Sequence, residues 1–231
     1  AELISWILVA NKSSRLTGLE FRNSSGAGNV IGFVGQTGGA AQDGRRFRAD
    51  HNRFIRLPGF NIAAYSSWGV IDHNYFDLVG IGLYFYLPSD YDYADARWAE
   101  SPTDWGSAKF SFVEDNKVEV TTTTNYHFPL TDAYAGAKFV VRYNDLSQAN
   151  IQNHGTESSG RARGGRAMEV YKNNLSGNNV FSSVTVFLRS GTLLDWGNSW
   201  TNFPLTGLPA ASLVYYRTLG APVFGAADGT N

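Results

Sequence analysis

Apolar and polar residues alternate along several short stretches of this chain, and each alternation breaks at an asparagine. The stretches FRADHNRF, GVIDHNYF, SFVEDNKV, VVRYNDL and EVYKNNL superpose on Asn52, Asn74, Asn116, Asn144 and Asn173. Three places before each asparagine stand Ala49, Ile71, Val113, Val141 and Val170, and two places after it stand Phe54, Phe76, Val118, Leu146 and Leu175. Asp50, Asp72, Glu114, Arg142 and Tyr171, all polar or amphipathic, stand two places before it. Period-two alternation of this kind predicts strand, bend, strand, with one set of side chains turned inward and the other outward.

A unit of this size cannot bury its own apolar edge, so its repetition predicts a solenoid in which successive coils cover one another. An asparagine at one point of each coil has two physical uses. It tolerates a left-handed backbone at a sharp bend. Its amide can also bond the amide of the next coil, as in stacked asparagine ladders. These asparagines therefore speak for the fold and not for chemistry.

The remaining segments fit around that frame. Ala1–Ala10 reads as a first strand, too short for a membrane span. Asn11–Asn23 supplies a copy ending on Asn23, with Glu20 where an apolar residue is expected. Val30–Val34 is a further apolar run, Leu193–Trp200 (LLDWGNSW) a worn copy on Asn198, and Leu213–Tyr216 a last strand. The departures Val79–Ala108, Thr121–Gly136 and Ser147–Gly165 are expected to follow the strand after the asparagine and to stack as one wall beside a groove. The expected fold is all-β, a right-handed parallel β-helix of about seven to eight coils with long loops on one side. Residues 1–231 are expected to form one domain. No terminal amphipathic helix is legible, so loops cover the ends or the chain is part of a longer protein or assembly.

Composition changes this picture little. A formal net charge of −1 points away from nucleic acid and from a basic membrane surface. With no cysteine, disulfide and thiolate-metal chemistry are excluded.

Candidate chemistry falls in four places. Asp50, Asp72 and Glu114 repeat on successive coils, about 4.8 Å apart. At that spacing they repel unless an arginine such as Arg142 or a hard cation relieves them. Asp72 and Glu114 are thus candidate calcium ligands, against an ordinary solvated face with one ion pair. Asp90, Asp92 and Asp95 resemble half of a calcium loop without its glycine and terminal glutamate. Around them Tyr91, Tyr93 and Trp98 offer flat apolar platforms for sugar rings, or packing for the insertion. His154, Glu157, Arg161, Arg163, Arg166 and Glu169 form the densest group of functional side chains. Within it His154 is a candidate base, Arg166 an anion clamp and Glu169 an orienting carboxylate; Arg142 and Arg163 are candidate substrate contacts. The alternative is that the arginines pair with Glu157 and Glu169 and pin the loop.

The phrases FVEDN (Phe112–Asn116), VVRYN (Val140–Asn144), NHG (Asn153–Gly155), RGGR (Arg163–Arg166) and EVYKNN (Glu169–Asn174) resemble right-handed parallel β-helix proteins of the pectate-lyase-like superfamily, in particular secreted bacterial members of poorly defined activity. Asp72-His73 is similar to a phrase near the calcium site of pectate lyases, although its surroundings differ. The resemblance implies a secreted or extracellular protein, bacterial or from a phage, that binds an acidic polysaccharide, with cleavage as a further expectation. As an enzyme it would be a polysaccharide lyase or a glycoside hydrolase. The superfamily also holds tailspikes, adhesins and inert spacers. A non-catalytic appendage or adhesive surface, alone or as a homo-oligomer, is therefore the competing expectation.

Overall fold

The computed structural model describes residues 7–10, 13–22, 31–34, 45–86, 103–121, 128–134, 136–154, 164–176, 186–189, 191–201 and 214–217. The chain visits three sheets in rotation. The first sheet takes β1 (Ile7–Ala10), β4 (Ile31–Val34), β7 (Phe60–Tyr65), β10 (Ile81–Tyr86), β13 (Pro129–Tyr134), β16 (Asn150–Gln152) and β19 (Val186–Phe187). The second takes β2 (Ser14–Thr17), β5 (Arg45–Asp50), β8 (Ser67–Asp72), β11 (Ser111–Glu114), β14 (Lys138–Arg142), β17 (Ala167–Tyr171), β20 (Thr192–Trp196) and β22 (Val214–Arg217). The third takes β3 (Glu20–Arg22), β6 (Arg53–Ile55), β9 (Tyr75–Asp77), β12 (Lys117–Glu119), β15 (Asp145–Ser147), β18 (Asn174–Ser176) and β21 (Ser199–Thr201). Neighbouring strands in each sheet run parallel, apart from β22, which closes on β20 antiparallel. The described residues hold no helix, and none long and apolar enough to cross a membrane.

The apolar frame sets the register. Leu16, Ala49, Ile71, Val113, Val141 and Val170 are successive partners in the second sheet. Phe21, Phe54, Phe76, Val118, Leu146 and Leu175 are successive partners in the third. All of these but Leu16, which packs against the same core, are buried. The three phenylalanines stack ring on ring, 5.2 and 4.8 Å apart.

Between these sheets the asparagines form one buried ladder. Each Nδ2 donates to the Oδ1 of the next, at 3.0 Å from Asn52 to Asn74, Asn74 to Asn116, Asn116 to Asn144 and Asn144 to Asn173, and at 2.9 Å from Asn173 to Asn198. Each Oδ1 also accepts the backbone N–H of the preceding asparagine, and each Nδ2 reaches back to a backbone carbonyl of the preceding coil, as Asn144 does to Val113. No buried donor of these amides is left over, which is what makes a polar column tolerable in a core.

The structure corrects three expectations. The left-handed residue is the one before the asparagine: His51, His73, Asp115, Tyr143 and Lys172 have φ between 54° and 60°. An asparagine there would turn its amide outward, so ladder and bend occupy separate positions. In the first coil the column position belongs to Leu19, not Asn23, since Glu20 pairs with Arg53 and Phe21 with Phe54. Leu19 donates its backbone N–H to Asn52 at 3.1 Å while its side chain stays 43% exposed; Asn23 lies outside the described residues. The departures also leave from two corners. Val79–Ala108 contains β10, Ser147–Gly165 contains β16, and both leave the frame between the first and second sheets. Thr121–Gly136 contains β13 and departs between the third sheet and the first. The two longest share a corner, as a wall requires, and the third does not.

The inward row that runs from Leu16 to Val170 continues to an acid, Asp195, partner of Val170. Asn198 Nδ2 donates to its Oδ1. Burial outweighs that bond and pushes the carboxyl up to about 6 from an ordinary 3.8. The folded state thus holds this proton more tightly than the unfolded chain. Stability is full below the unfolded pKa and declines as pH rises through about 6. Asp195→Asn is expected to raise stability at pH 7 by about 1–3 kcal/mol and to leave it unchanged at pH 3.5. Denaturant midpoints at the two pH values check this; an equal gain at both would mean that charge is not the cause.

Candidate functional site

Alternation turns the residues two and four places before each asparagine outward from the second sheet. The N-terminal strands carry charge on this face. Arg15 grips the Asp50 carboxylate through Nε and Nη2 at 2.8 and 2.7 Å, and Arg48 grips Asp72 at 2.9 and 2.6 Å. Each aspartate is thus braced by an arginine from the strand before it. Asp50 also accepts the Thr17 hydroxyl, and these donors hold its carboxyl far below the usual range despite burial. Asp50 and Asp72 turn outward as the alternation requires, but neither sits on a solvated face: both are buried, each held by a guanidinium. His51 and His73 add Nδ1 contacts of 2.8 Å to Asp50 and Asp72.

Farther along, the same face turns aromatic. Glu114 pairs with Arg142 of the following strand, as expected, at 2.6 Å. Arg142 Nη1 also donates to the Tyr171 hydroxyl at 2.9 Å, and the guanidinium lies 5.1–6.0 Å from the rings of Phe112, Tyr143 and Tyr171. Tyr171 stacks on Trp196 at 4.0 Å, nearly parallel, and meets Tyr143 edge-on at 6.1 Å. Tyr143 is 46% exposed. Burial and these bonds act in opposite senses on Arg142, and its pKa stays above the ordinary value. Three of its five N–H groups are engaged, which leaves two for an anion.

A turn covers the neighbouring part of this face. Ser107 and Phe110 close it with backbone bonds to Asp104 and Ser107, and Lys138 Nζ ties it down at the Thr103 carbonyl, 3.0 Å. Phe110 packs with Val140 and Ala167, flanked by Trp105, Phe112 and Tyr171, in a small second core outside the sheet. Glu169 lies beneath this turn, facing outward as expected but only 6% exposed. Burial raises its pKa, while the Gly106 amide and Arg142 act against that rise.

The proposed catalytic three are held by different elements. His154 follows β16, and its carbonyl accepts the Gly165 N–H at 2.9 Å, so the departing loop rejoins the frame there. The Arg166 N–H donates to Ala137 at 3.0 Å. Glu169 is influenced by Gly106 and Arg142. The charged partner shaping Glu169 is Arg142. Arg163, Tyr91, Tyr93 and Trp98 lie outside the described residues, as do Asp90, Asp92, Asp95, Glu157 and Arg161. Asp72 and Glu114 each face a guanidinium, and among the described residues no group of three or more His, Asp or Glu side chains is placed to hold a metal ion.

The aromatic shelf was only partly legible in the sequence. Tyr171 stood in the outward column, and extending that column to the copy on Asn198 reaches Trp196. Among the described residues the covering turn has no counterpart in another coil. Comparison with protein-family models, curated proteins and solved structures found no match to this chain.

Proposed function

We propose that this chain is a secreted parallel β-helix, right-handed and of about seven to eight coils like the pectate-lyase-like proteins it resembles, which binds an acidic polysaccharide on the outer face of its second sheet. One observation carries the reading: the Tyr171–Trp196 stack stands beside an arginine with two N–H groups to spare. Flat rings take the apolar face of a pyranose, and the spare guanidinium edge takes a uronate carboxylate. Lys172, whose ammonium lies 5.9 Å from the Tyr143 ring, adds positive charge at the rim.

Cleavage is the second part of the reading. In a lyase, a cation-like group neutralises the uronate carboxylate and a base removes the adjacent ring proton. Arg142 fits the first role; Glu169 serves as an acid or base only when the turn at Gly106 lifts. Its enclosure favours the rival reading, a binding or adhesive surface without turnover.

Calorimetry with polygalacturonate and alginate tests binding. Tyr171→Ala and Trp196→Ala are each expected to weaken it at least tenfold, and Arg142→Lys to weaken the uronate polymers but not a neutral glucan. Binding that survives both aromatic substitutions would place the site elsewhere. Absorbance of unsaturated ends, followed with and without chelator, separates a lyase from an adhesin.

A further inference from the structure

The geometry points to a binding site for a borderline divalent metal ion, of the zinc, nickel or copper kind, on the paired imidazoles of His51 and His73. The two rings come from adjacent coils, at the left-handed residue that precedes the ladder asparagine in each. They lie 5.0 Å apart and within 7° of parallel. Each Nδ1 is 2.8 Å from a carboxylate oxygen, of Asp50 for His51 and of Asp72 for His73. A carboxylate only accepts, so Nδ1 carries the proton in the neutral ring and Nε2 carries the lone pair. The two lone pairs leave the same corner side by side, and both side chains are more than half exposed.

An imidazole whose Nδ1–H is held by a carboxylate is the usual state of a metal-binding histidine, with orientation and basicity already set. Here that support is present twice, in register. The carboxylates themselves are gripped by Arg15 and Arg48, so their oxygens serve as orienting groups and not as ligands. The site therefore offers nitrogen and selects against calcium or magnesium, which seek oxygen. Two nitrogens on one tetrahedral zinc stand about 3.3 Å apart, given bonds of about 2.0–2.1 Å. Half-exposed rings that hinge at Cβ have to bring their tips together by about 1–2 Å to reach it. Water completes the coordination.

Titration of the whole chain with Zn2+, followed by calorimetry, tests the pair. Asparagine tolerates the left-handed backbone, so His51→Asn and His73→Asn remove one ring at a time without forcing the bend. One zinc per chain is expected at this pair, with affinity reduced at least tenfold by either substitution alone. Circular dichroism confirms that each variant keeps its fold. Binding that persists undiminished in either variant, or no zinc uptake by the intact chain, would each overturn the proposal.

Discussion

Asn144→Ala is expected to lower the stability of this protein by about 3 kcal/mol or more, a large effect for a change of one polar side chain. The amide is buried at 2% exposure and makes five bonds. It donates to Asn173 Oδ1, Val113 O and Arg142 O, and accepts the backbone N–H and Nδ2–H of Asn116. Alanine removes all five and leaves two donors of Asn116 facing a void that water cannot readily fill. Each stranded buried donor costs about 1–3 kcal/mol. Asp145→Ala, next door, removes an exposed contact with Asn174 and an attraction to the exposed Lys117, and should change stability by a few tenths of a kcal/mol. Denaturant midpoints for the two variants make the comparison. Similar midpoints would mean that the ladder contributes nothing beyond an ordinary turn.

Gly69→Val should be more damaging still and leave no folded protein. Gly69 lies in β8 opposite Phe47, in an inward row whose other members include Ser111, Phe139, Met168 and Leu193. A Cβ on Gly69 would land on the Phe47 backbone oxygen and come within 2.6 Å of its ring. The ring is itself stacked on Phe33 at 4.3 Å, so it cannot swing aside freely. Even Gly69→Ala meets backbone, which no rotamer change relieves, and should cost about 3 kcal/mol, the upper part of the usual range for overpacking. Gly18→Ala is the control: its φ is +74°, but nothing lies within 4 Å of the added carbon, so only the backbone term of about 1–2 kcal/mol applies. Chemical denaturation of both alanine variants decides the matter. A Gly69→Ala midpoint equal to that of Gly18→Ala would show that the coils part easily at Phe47.

The second and third sheets were legible in the sequence because their side chains obey a strict stereochemical rule. One face is core and the other is not, and the asparagine fixes the phase. Val113 and Val118 could be placed in the interior from their offsets alone, and so could Phe54 and Leu175. The first sheet follows no such rule. In β7 and β10 the four central residues are buried on both faces, including Ala63 and Tyr84, so no alternation survives to be read. Of its strands, β10, β13 and β16 were therefore absorbed into the departures Val79–Ala108, Thr121–Gly136 and Ser147–Gly165. Asn23 drew the first copy out of register because an asparagine is also an ordinary turn residue. Glu169 could be turned outward from its place in the alternation, but its burial depends on a turn sixty-odd residues earlier in the chain that folds across β14 and β17.

The amides of the ladder all point one way, and this gives the solenoid an electrical polarity that its parallel sheets do not advertise. Every Oδ1 is turned toward the preceding coil and every outgoing N–H toward the following one. Small dipoles aligned head to tail add, as peptide units do along a helix. The ends meet groups of the appropriate sign. The backbone N–H of Leu19 faces the oxygen end at Asn52, and the Asp195 carboxyl accepts from the N–H end at Asn198. Because each Oδ1 also receives a backbone N–H from the coil before it, no single amide can reverse without setting oxygen against oxygen on one side and donor against donor on the other. The direction of the chain is thereby written into the direction of its side chains, from the first rung to the last.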